Sequence, residues 1–408
     1  MAENEPIFRQ ITSMEPLLPE AGRSELGDLS VEIFRKSGEL VASLPSKIVR
    51  HEVARLVREM NSYYSNLIEG HKTLPRDIEK ALRGDFSAHE DDQRNQRLSV
   101  AHIRAEQALR ARLADEPGTN VFSPEFIGWI HREFYSAIPE ADWFTTSSAG
   151  TRYPLEPGKI RNHNVDVGQH VPPDHSVLDR FLERFQSFYS SSGIPAADKL
   201  IALASAHHRL AWIHPFGDGN GRVARLQSQA ATIQAGLDDE GLWTLSRGLA
   251  RARPTYYHHL QAADQRRVND FDGRGNLSDK ALSQFCIFFL KQVLDQIHFM
   301  VGLIEPFNLQ DRMENYLRFK RNDLDGNLRE KLVRLLKALV LQEEIPRGSV
   351  PEILGLKGTA SREIIRKALE EGLVSSKTEK SALRIAFPSK VVEFYFPLLF
   401  TDLPVDRD

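Results

Sequence analysis

With 408 residues, 41% hydrophobic and 27% charged, the chain can bury roughly two to three packed domains, and it is neither largely disordered nor fibrous. A formal net charge of -3 excludes a chain given over as a whole to nucleic acid or a membrane surface, so any such role must be local. The single cysteine, Cys286, sits in an apolar run and excludes an internal disulfide; a buried structural thiol in a reducing compartment is the expectation.

The opening residues MAENEPIFRQ are acidic, without a charged-then-apolar leader, and no uninterrupted apolar stretch reads as a bilayer span, which predicts a cytoplasmic protein. Residues 1–22, with Pro6, Pro16 and Pro19 and little periodicity, read as an extended lead-in. From Ser46 to Glu69 the apolar residues Ile48, Val53, Leu56, Val57, Met60, Tyr64, Leu67 and Ile68 recur at steps of three and four, the mark of an amphipathic helix that Gly70 stops.

Further helices are predicted at about 74–83, 91–114 and 124–137, before a stretch rich in Ser, Thr, Gly and Pro (144–158) breaks the pattern. Residues 160–171 carry Val165, Val167 and Val171 at strand spacing and end at Pro172 and Pro173, so a short hairpin or extended flap is expected there. Helices follow at about 176–190, 197–212, 220–234, 253–265, 279–304 and 308–321. The polar run 322–327 has the composition of a calcium loop but not its ligand spacing, and reads as a linker. Three regions result: an N-terminal helical region over 1–90, a catalytic region over 91–322 and a C-terminal unit over 323–408.

The chemistry concentrates in residues 213–225, a loop feeding straight into a helix. Gly219 and Gly221 permit close backbone approach, and the first amides of the following helix lack intrahelical partners, so the segment can cradle an anion. Arg222 and Arg225, three apart, project from one face and suit a polyphosphate. Asp218 inside an anion cradle implies an intervening divalent cation, Mg2+ by preference. His214 at the loop mouth, stiffened by Pro215 and anchored by Phe216, is a candidate general base, and Asn220 is an N-cap or a phosphate ligand. Each residue alone has a plain structural explanation; the whole set does not arise by chance. No Gly-Lys-Ser/Thr follows, which excludes a Walker A loop, and a helix rather than a strand precedes the glycines, which disfavours a dinucleotide fold.

His214-Pro215-Phe216-Gly217-Asp218-Gly219-Asn220-Gly221-Arg222 resembles, without a mismatch, the signature of the Fic family, and Arg225 resembles its later arginine. The resemblance implies a mainly α fold, a Fic-type helical bundle with a small β-hairpin flap. It implies His214 as general base, Asp218 as Mg2+ ligand, and Phe216, Gly217, Gly219, Asn220, Gly221, Arg222 and Arg225 as the nucleotide site. The implied reaction is transfer of AMP from ATP to a Ser, Thr or Tyr hydroxyl of a target protein. The Gly-Asn-Gly form favours AMP transfer over the related kinase chemistry, while removal of AMP stays open as an alternative. Residues 160–171 would correspond to the family's target-docking flap.

Ser65-Asn66-Leu67-Ile68-Glu69-Gly70 resembles the family's inhibitory motif. A helix C-terminus disfavours an anion, so Glu69 there calls for a cationic partner, and the resemblance names Arg225. Tyr63 and Tyr64 are candidates either for self-modification or for packing, and a homo-oligomer could tune release. After Leu328 the helical spacing, the turn 355–358 and a helix from about 359 to 371 suggest a helix-turn-helix, with 372–387 as a small wing. This unit resembles the winged-helix modules that follow bacterial Fic domains. Arg362, Arg366 and Lys367 could face DNA, but Glu363, Glu370 and Glu371 dilute the patch and favour protein docking or dimerisation; a DNA-binding regulator is the alternative function.

Overall fold

The computed structural model describes residues 8–44, 46–146, 150–168, 170–238 and 240–401. The chain is mainly helical. The N-terminal region holds α1 (Arg23–Ser43), α2 (Lys47–Ile68) and α3 (Pro75–Leu82), followed by α4 (Glu90–Asp115) and α5 (Pro124–Ser136). A small antiparallel hairpin, β1 (Phe144–Thr146) and β2 (Arg152–Pro154), precedes α6 (Leu178–Tyr189), α7 (Lys199–Ile213) and α8 (Asn220–Gln234). Then come α9 (Leu245–Arg251), α10 (Arg253–Ala263), α11 (Asp279–Ile304) and α12 (Pro306–Lys320). The C-terminal unit comprises α13 (Gly326–Leu341), α14 (Val350–Leu354), α15 (Gly358–Glu370), the two-residue strands β3 (Val374–Ser375) and β4 (Arg384–Ile385), and α16 (Ser389–Tyr395).

Local chemistry sets the helix that matters most. Ser46 caps α2 by accepting from the Val49 amide at 3.2 Å. At the other end Gly70 turns left-handed at φ 84°, and the His71 and Gly70 amides return to the Asn66 and Leu67 carbonyls, a Schellman stop that fixes Glu69 on the last turn. The helix is buried along nearly its whole last half, from Glu59 to Ile68. Tyr63 and Tyr64 are part of that buried face, 2% and 0% exposed, so packing rather than self-modification is their place in this structure.

The central helix α11 packs against α1, α7, α9 and α10. Contrary to the sequence reading, it is long and apolar enough by length and composition to cross a membrane; here its residues Phe285, Cys286 and Phe289 are fully buried inside the helical body. Cys286 lies 3.2 Å from the Ser205 hydroxyl, and burial pushes its thiol up to about 12, as a structural thiol requires.

Three helices, α1, α9 and α16, lie outside the periodicities read from the sequence, and the first two show why. The buried seam of α1 runs Leu26, Ser30, Ile33, Ser37, Leu40; serines at alternate seam positions, bonded to the Leu26 and Leu237 carbonyls, thin out the hydrophobic period. The short α9 contains Gly248, which sits against Gln292 and Gln296, where a Cβ would come within 3.1 Å of Gln292 Oε1. The lead-in 8–22 is extended as expected, apart from one 3-10 turn at Ile11–Met14, and it is tied down: Arg209 donates to the Pro16 carbonyl and Tyr189 to that of Leu17.

The β hairpin is a correction. It lies at 144–154, in the stretch expected to be irregular, with Thr145 opposite Tyr153 and the Arg152 guanidinium over the Phe144 ring. The described residues of 160–171 form no strand, only an isolated bridge between Val167 and His170. The segment does alternate inward and outward from Arg161 to Gly168, but its inward side bonds a loop through side chains instead of another strand.

In the C-terminal unit Leu332, Leu335, Leu336, Leu339 and Val340 of α13 are fully buried, as the spacing predicts. Gly355 makes the left-handed turn between α14 and α15, and β3 pairs antiparallel with β4. On α15, Arg366 pairs with Glu370 and Lys367 with Glu371, so these two cations are neutralised along their own helix. Asp325 caps α13 by accepting from the Asn327 and Leu328 amides, which is why the polar run 322–327 is acid-rich without being a calcium loop.

Candidate nucleotide site

Residues 214–219 link α7 to α8, and three features hold the loop in shape. His214 ends α7 in a left-handed conformation, φ 50° and ψ 61°, rare for a residue with a side chain. Asn220 closes a ring with Phe216, accepting from its amide at 2.9 Å and donating to its carbonyl at 2.8 Å. Phe216 is buried and stacks on His131 of α5, with ring centroids 4.0 Å apart. Phe216 is thus the core anchor expected from the sequence, while the N-cap of α8 is Gly219 and the Asn220 side chain, one position on, braces the loop.

The glycines act by what they leave free. Gly219, the N-cap of α8, has φ 80°, and a Cβ there would meet Tyr135 at 3.0 Å. A Cβ on Gly217 would meet Thr145 of β1 at 3.3 Å. A Cβ on Gly221 would lie 2.3 Å from Glu69 Oε1, so the Glu69 carboxylate rests directly on the first turn of α8. That turn is where backbone amides and the helix dipole favour an anion.

The last turn of α2 forms the opposite wall. Arg225 Nη2 donates to Glu69 Oε1 at 2.6 Å and to the Ser65 carbonyl at 2.9 Å, and its Nε donates to the Ser65 hydroxyl at 2.9 Å. Arg222 Nε donates to Asn66 Oδ1 at 3.0 Å and its guanidinium lies 5.3 Å from the Phe134 ring centroid. Both arginines are 4% exposed. Residues 65, 66 and 69 share one face of α2, and 222 and 225 one face of α8, so the two arginines meet one helix turn.

Electrostatics follows from this crowding. Burial works to raise the Glu69 carboxyl, but Arg225 and Arg222 outweigh it and hold it below its ordinary value, while the same partner raises Arg225 against its own burial. At Asp218 desolvation is outweighed by Arg222, by the Tyr135 hydroxyl at 2.6 Å and by the Gly219 amide, so the carboxyl stays low. Burial, His170 and Arg161 lower His214 to about 4, which keeps its imidazole neutral near pH 7. His131, lowered by burial to about 4, accepts from the Gly158 amide on Nδ1 and so offers Nε2–H to the Asp218 carbonyl at 3.3 Å.

Tyr135, His131, Arg161 and Asn66 were not singled out from the sequence. Asn66 lies inside the 65–70 motif and could have been read with it. His131 and Tyr135 stand four apart on one face of α5, a signal without meaning until the helix is placed beside the loop. Among the described residues no group of three or more His, Cys, Asp or Glu could hold a metal ion. Asp218 nevertheless fits the usual magnesium arrangement, in which one or two carboxylates act together with substrate phosphates.

A helix N-terminus bared by glycines, a neutral histidine beside it and two buried arginines make an arrangement whose chemistry suits an anion. Residues 121–230 match the Fic/DOC family, and the chain carries a Fic domain. Curated relatives called protein adenylyltransferase Fic, from Drosophila erecta and Drosophila virilis, are 33% identical over 118 residues, covering 29% of this chain and 23% of each relative. The match thus spans under a quarter of those relatives' length. The fold is shared with a crystal structure of a Fic family protein from Desulfovibrio desulfuricans (TM-score 0.51, 14% identity, 88% of this chain and 97% of that one). A Fic domain-containing signalling protein from Bacteroides thetaiotaomicron gives TM-score 0.50 at 16% identity over 66% of this chain and 96% of its own.

Proposed function

We propose that the chain is a protein adenylyltransferase that moves AMP from ATP to a hydroxyl of another protein, and that Glu69 holds it in check. The relatives' name gives the reaction class, and the site's chemistry supports it. The hydroxyl oxygen attacks the α-phosphorus, its proton passes to the neutral His214 imidazole, and the bond from the α-phosphorus to the bridging oxygen breaks to release pyrophosphate. The first-turn amides of α8 with Gly219 and Gly221 grip the phosphates, and Arg222 and Arg225 balance charge on the outer ones. Asp218 would hold Mg2+, which when bound supplies charge neutralisation on the phosphates. The target would lie along the extended segment 160–171, beside the loop.

One observation carries the reading: the Glu69 carboxylate, an anion, sits on Gly221 and pairs with Arg225 in the space a phosphate would need. Removing it frees both the cradle and the arginine. The test is intact mass spectrometry of wild type, Glu69→Gly and His214→Ala with ATP and Mg2+. Glu69→Gly should gain adenylate on itself faster than wild type, and His214→Ala in the Glu69→Gly background should not. An equal rate with and without Glu69 refutes the restraint, and a mass gain of a phosphate alone refutes AMP transfer.

A further inference from the structure

Arg161 is buried, 5% exposed, and among the described residues no carboxylate pairs with it. Its guanidinium donates only to backbone: Nε to the His214 carbonyl at 2.9 Å, Nη1 to that of His163 at 2.8 Å and Nη2 to that of Pro173 at 2.6 Å. Its own amide donates to the Pro215 carbonyl at 2.9 Å. From the same segment, His170 Nε2 donates to the Trp212 carbonyl at 2.8 Å, with Asp264 at 3.7 Å behind its Nδ1. Carbonyls 212, 214 and 215 are therefore gripped from one side. A buried cation committed to carbonyls is a costly way to fill space, and one of the three carbonyls it holds belongs to the left-handed residue His214.

Resting on the adenylyltransferase reading, we infer that Arg161 is a positioning residue that sets the His214 imidazole by holding its main chain in that conformation, and so couples the 160–171 segment to the base. The groups acting on His214 are His170, Arg161, Asp218 and the Ala211 backbone. Arg161 thus has two separable effects, geometry through its bonds and a field through its charge. Lysine keeps the charge without the three-way fork; methionine removes both.

The test uses the full chain carrying Glu69→Gly. Arg161→Met should lower kcat on the order of a hundredfold with KM for ATP little changed, and shift the acid limb of the rate upward in pH, because His214 loses a cation that depresses it. Arg161→Lys should restore the limb but not kcat. The His214 imidazole titration, followed by NMR without nucleotide, should move in the same direction in Arg161→Met. An unshifted titration with kcat and thermal stability falling together would make Arg161 merely structural and overturn the inference. Absence of AMP transfer in Glu69→Gly itself would refute the activity instead, and the titration would still decide the Arg161 link.

A second inference stands on a different contact. The segment 396–401 that follows α16 is fastened to α2 one residue before Ser65. The Thr401 amide donates to Tyr64 Oη at 2.7 Å, Tyr63 Oη donates to the Thr401 carbonyl at 3.2 Å, and the Phe400 ring meets that of Tyr63 at 5.8 Å. Arg247 donates twice to the Leu398 carbonyl, at 3.2 and 2.9 Å, where Leu398 is left-handed at φ 63°. Arg55, earlier on α2, donates to the Phe387 carbonyl at 2.9 Å. The geometry points to the C-terminal unit as a clamp that holds the last turn of α2 on Arg225, so that loosening these contacts would release Glu69.

Tyr63→Phe with Tyr64→Phe removes the two hydroxyl bonds to Thr401, together with that between Tyr64 and Arg247, and keeps the rings. Self-adenylylation should rise about fivefold in the wild-type background and not at all with Glu69→Gly, where nothing remains to release. Amide exchange over residues 65–70, read without ATP, should quicken in the double variant. The same rate factor in both backgrounds, or unchanged protection at 65–70, overturns the clamp.

Discussion

Gly221→Ala separates the proposed Glu69 restraint from the proposed phosphate cradle. The added methyl would lie 2.3 Å from Glu69 Oε1, where ordinary contact begins at 3.4 Å, so the carboxylate must retreat by roughly 1 Å. That stretches its 2.6 Å bond to Arg225 beyond hydrogen-bonding range. A charged hydrogen bond contributes about 1.5–3 kcal/mol. Here about 1–2 kcal/mol is the better figure, since the Glu69 side chain is 28% exposed and Arg225 keeps both Ser65 bonds. Alanine in place of glycine within α8 returns about 1 kcal/mol of helix propensity. Melting should therefore shift by no more than about 2 °C. Activity should not follow the loss of the pair, because the methyl stands where the phosphate must approach. In the Glu69→Gly background, steady-state kinetics should show KM for ATP raised about tenfold or more by Gly221→Ala. An unchanged KM would refute the idea that bare backbone at Gly221 makes the phosphate seat.

Other predictions address the loop and its supports. Tyr135→Phe removes the hydroxyl that helps keep Asp218 ionised, and the Mg2+ concentration at half-maximal rate should rise about tenfold; an unaltered magnesium titration would detach Tyr135 from the metal question. His102 and His207 are lowered to about 3 and His131 and His214 to about 4, in each case first by burial. Between pH 6.5 and these values the unfolded chain binds more protons than the folded one. Stability measured by denaturant melts should fall as pH is lowered through that window, by up to about 1.4 kcal/mol per unit for each histidine. Arg110 pairs with both buried Glu106 and buried Asp238, so Arg110→Met should cost about 3–5 kcal/mol. Burial pushes Asp238 up to about 6, above its unfolded value, so its contribution to stability is present at low pH and lost as pH rises through about 6. The Arg110→Met penalty should accordingly be larger at pH 8 than at pH 5, and a pH-independent penalty would argue against an uncompensated carboxylate.

The sequence alone determined what depends on neighbours along the chain. Helix α2 is legible because its apolar residues return every three or four positions and Ser46 and Gly70 mark its ends; the glycine-rich loop before α8 is legible because glycines, an N-cap position and two arginines fall within one short run. Tertiary structure decided what depends on residues meeting across the fold. Only packing brings Glu69 onto Gly221, 152 positions away in sequence. Only packing turns Arg161 into a brace for His214, and it moves the hairpin to 144–154 by giving the 160–171 segment side-chain bonds in place of a strand partner. The physical reason is one of range: backbone propensity and capping are satisfied within a turn or two, whereas a buried charge takes its partner from whatever element the core sets beside it.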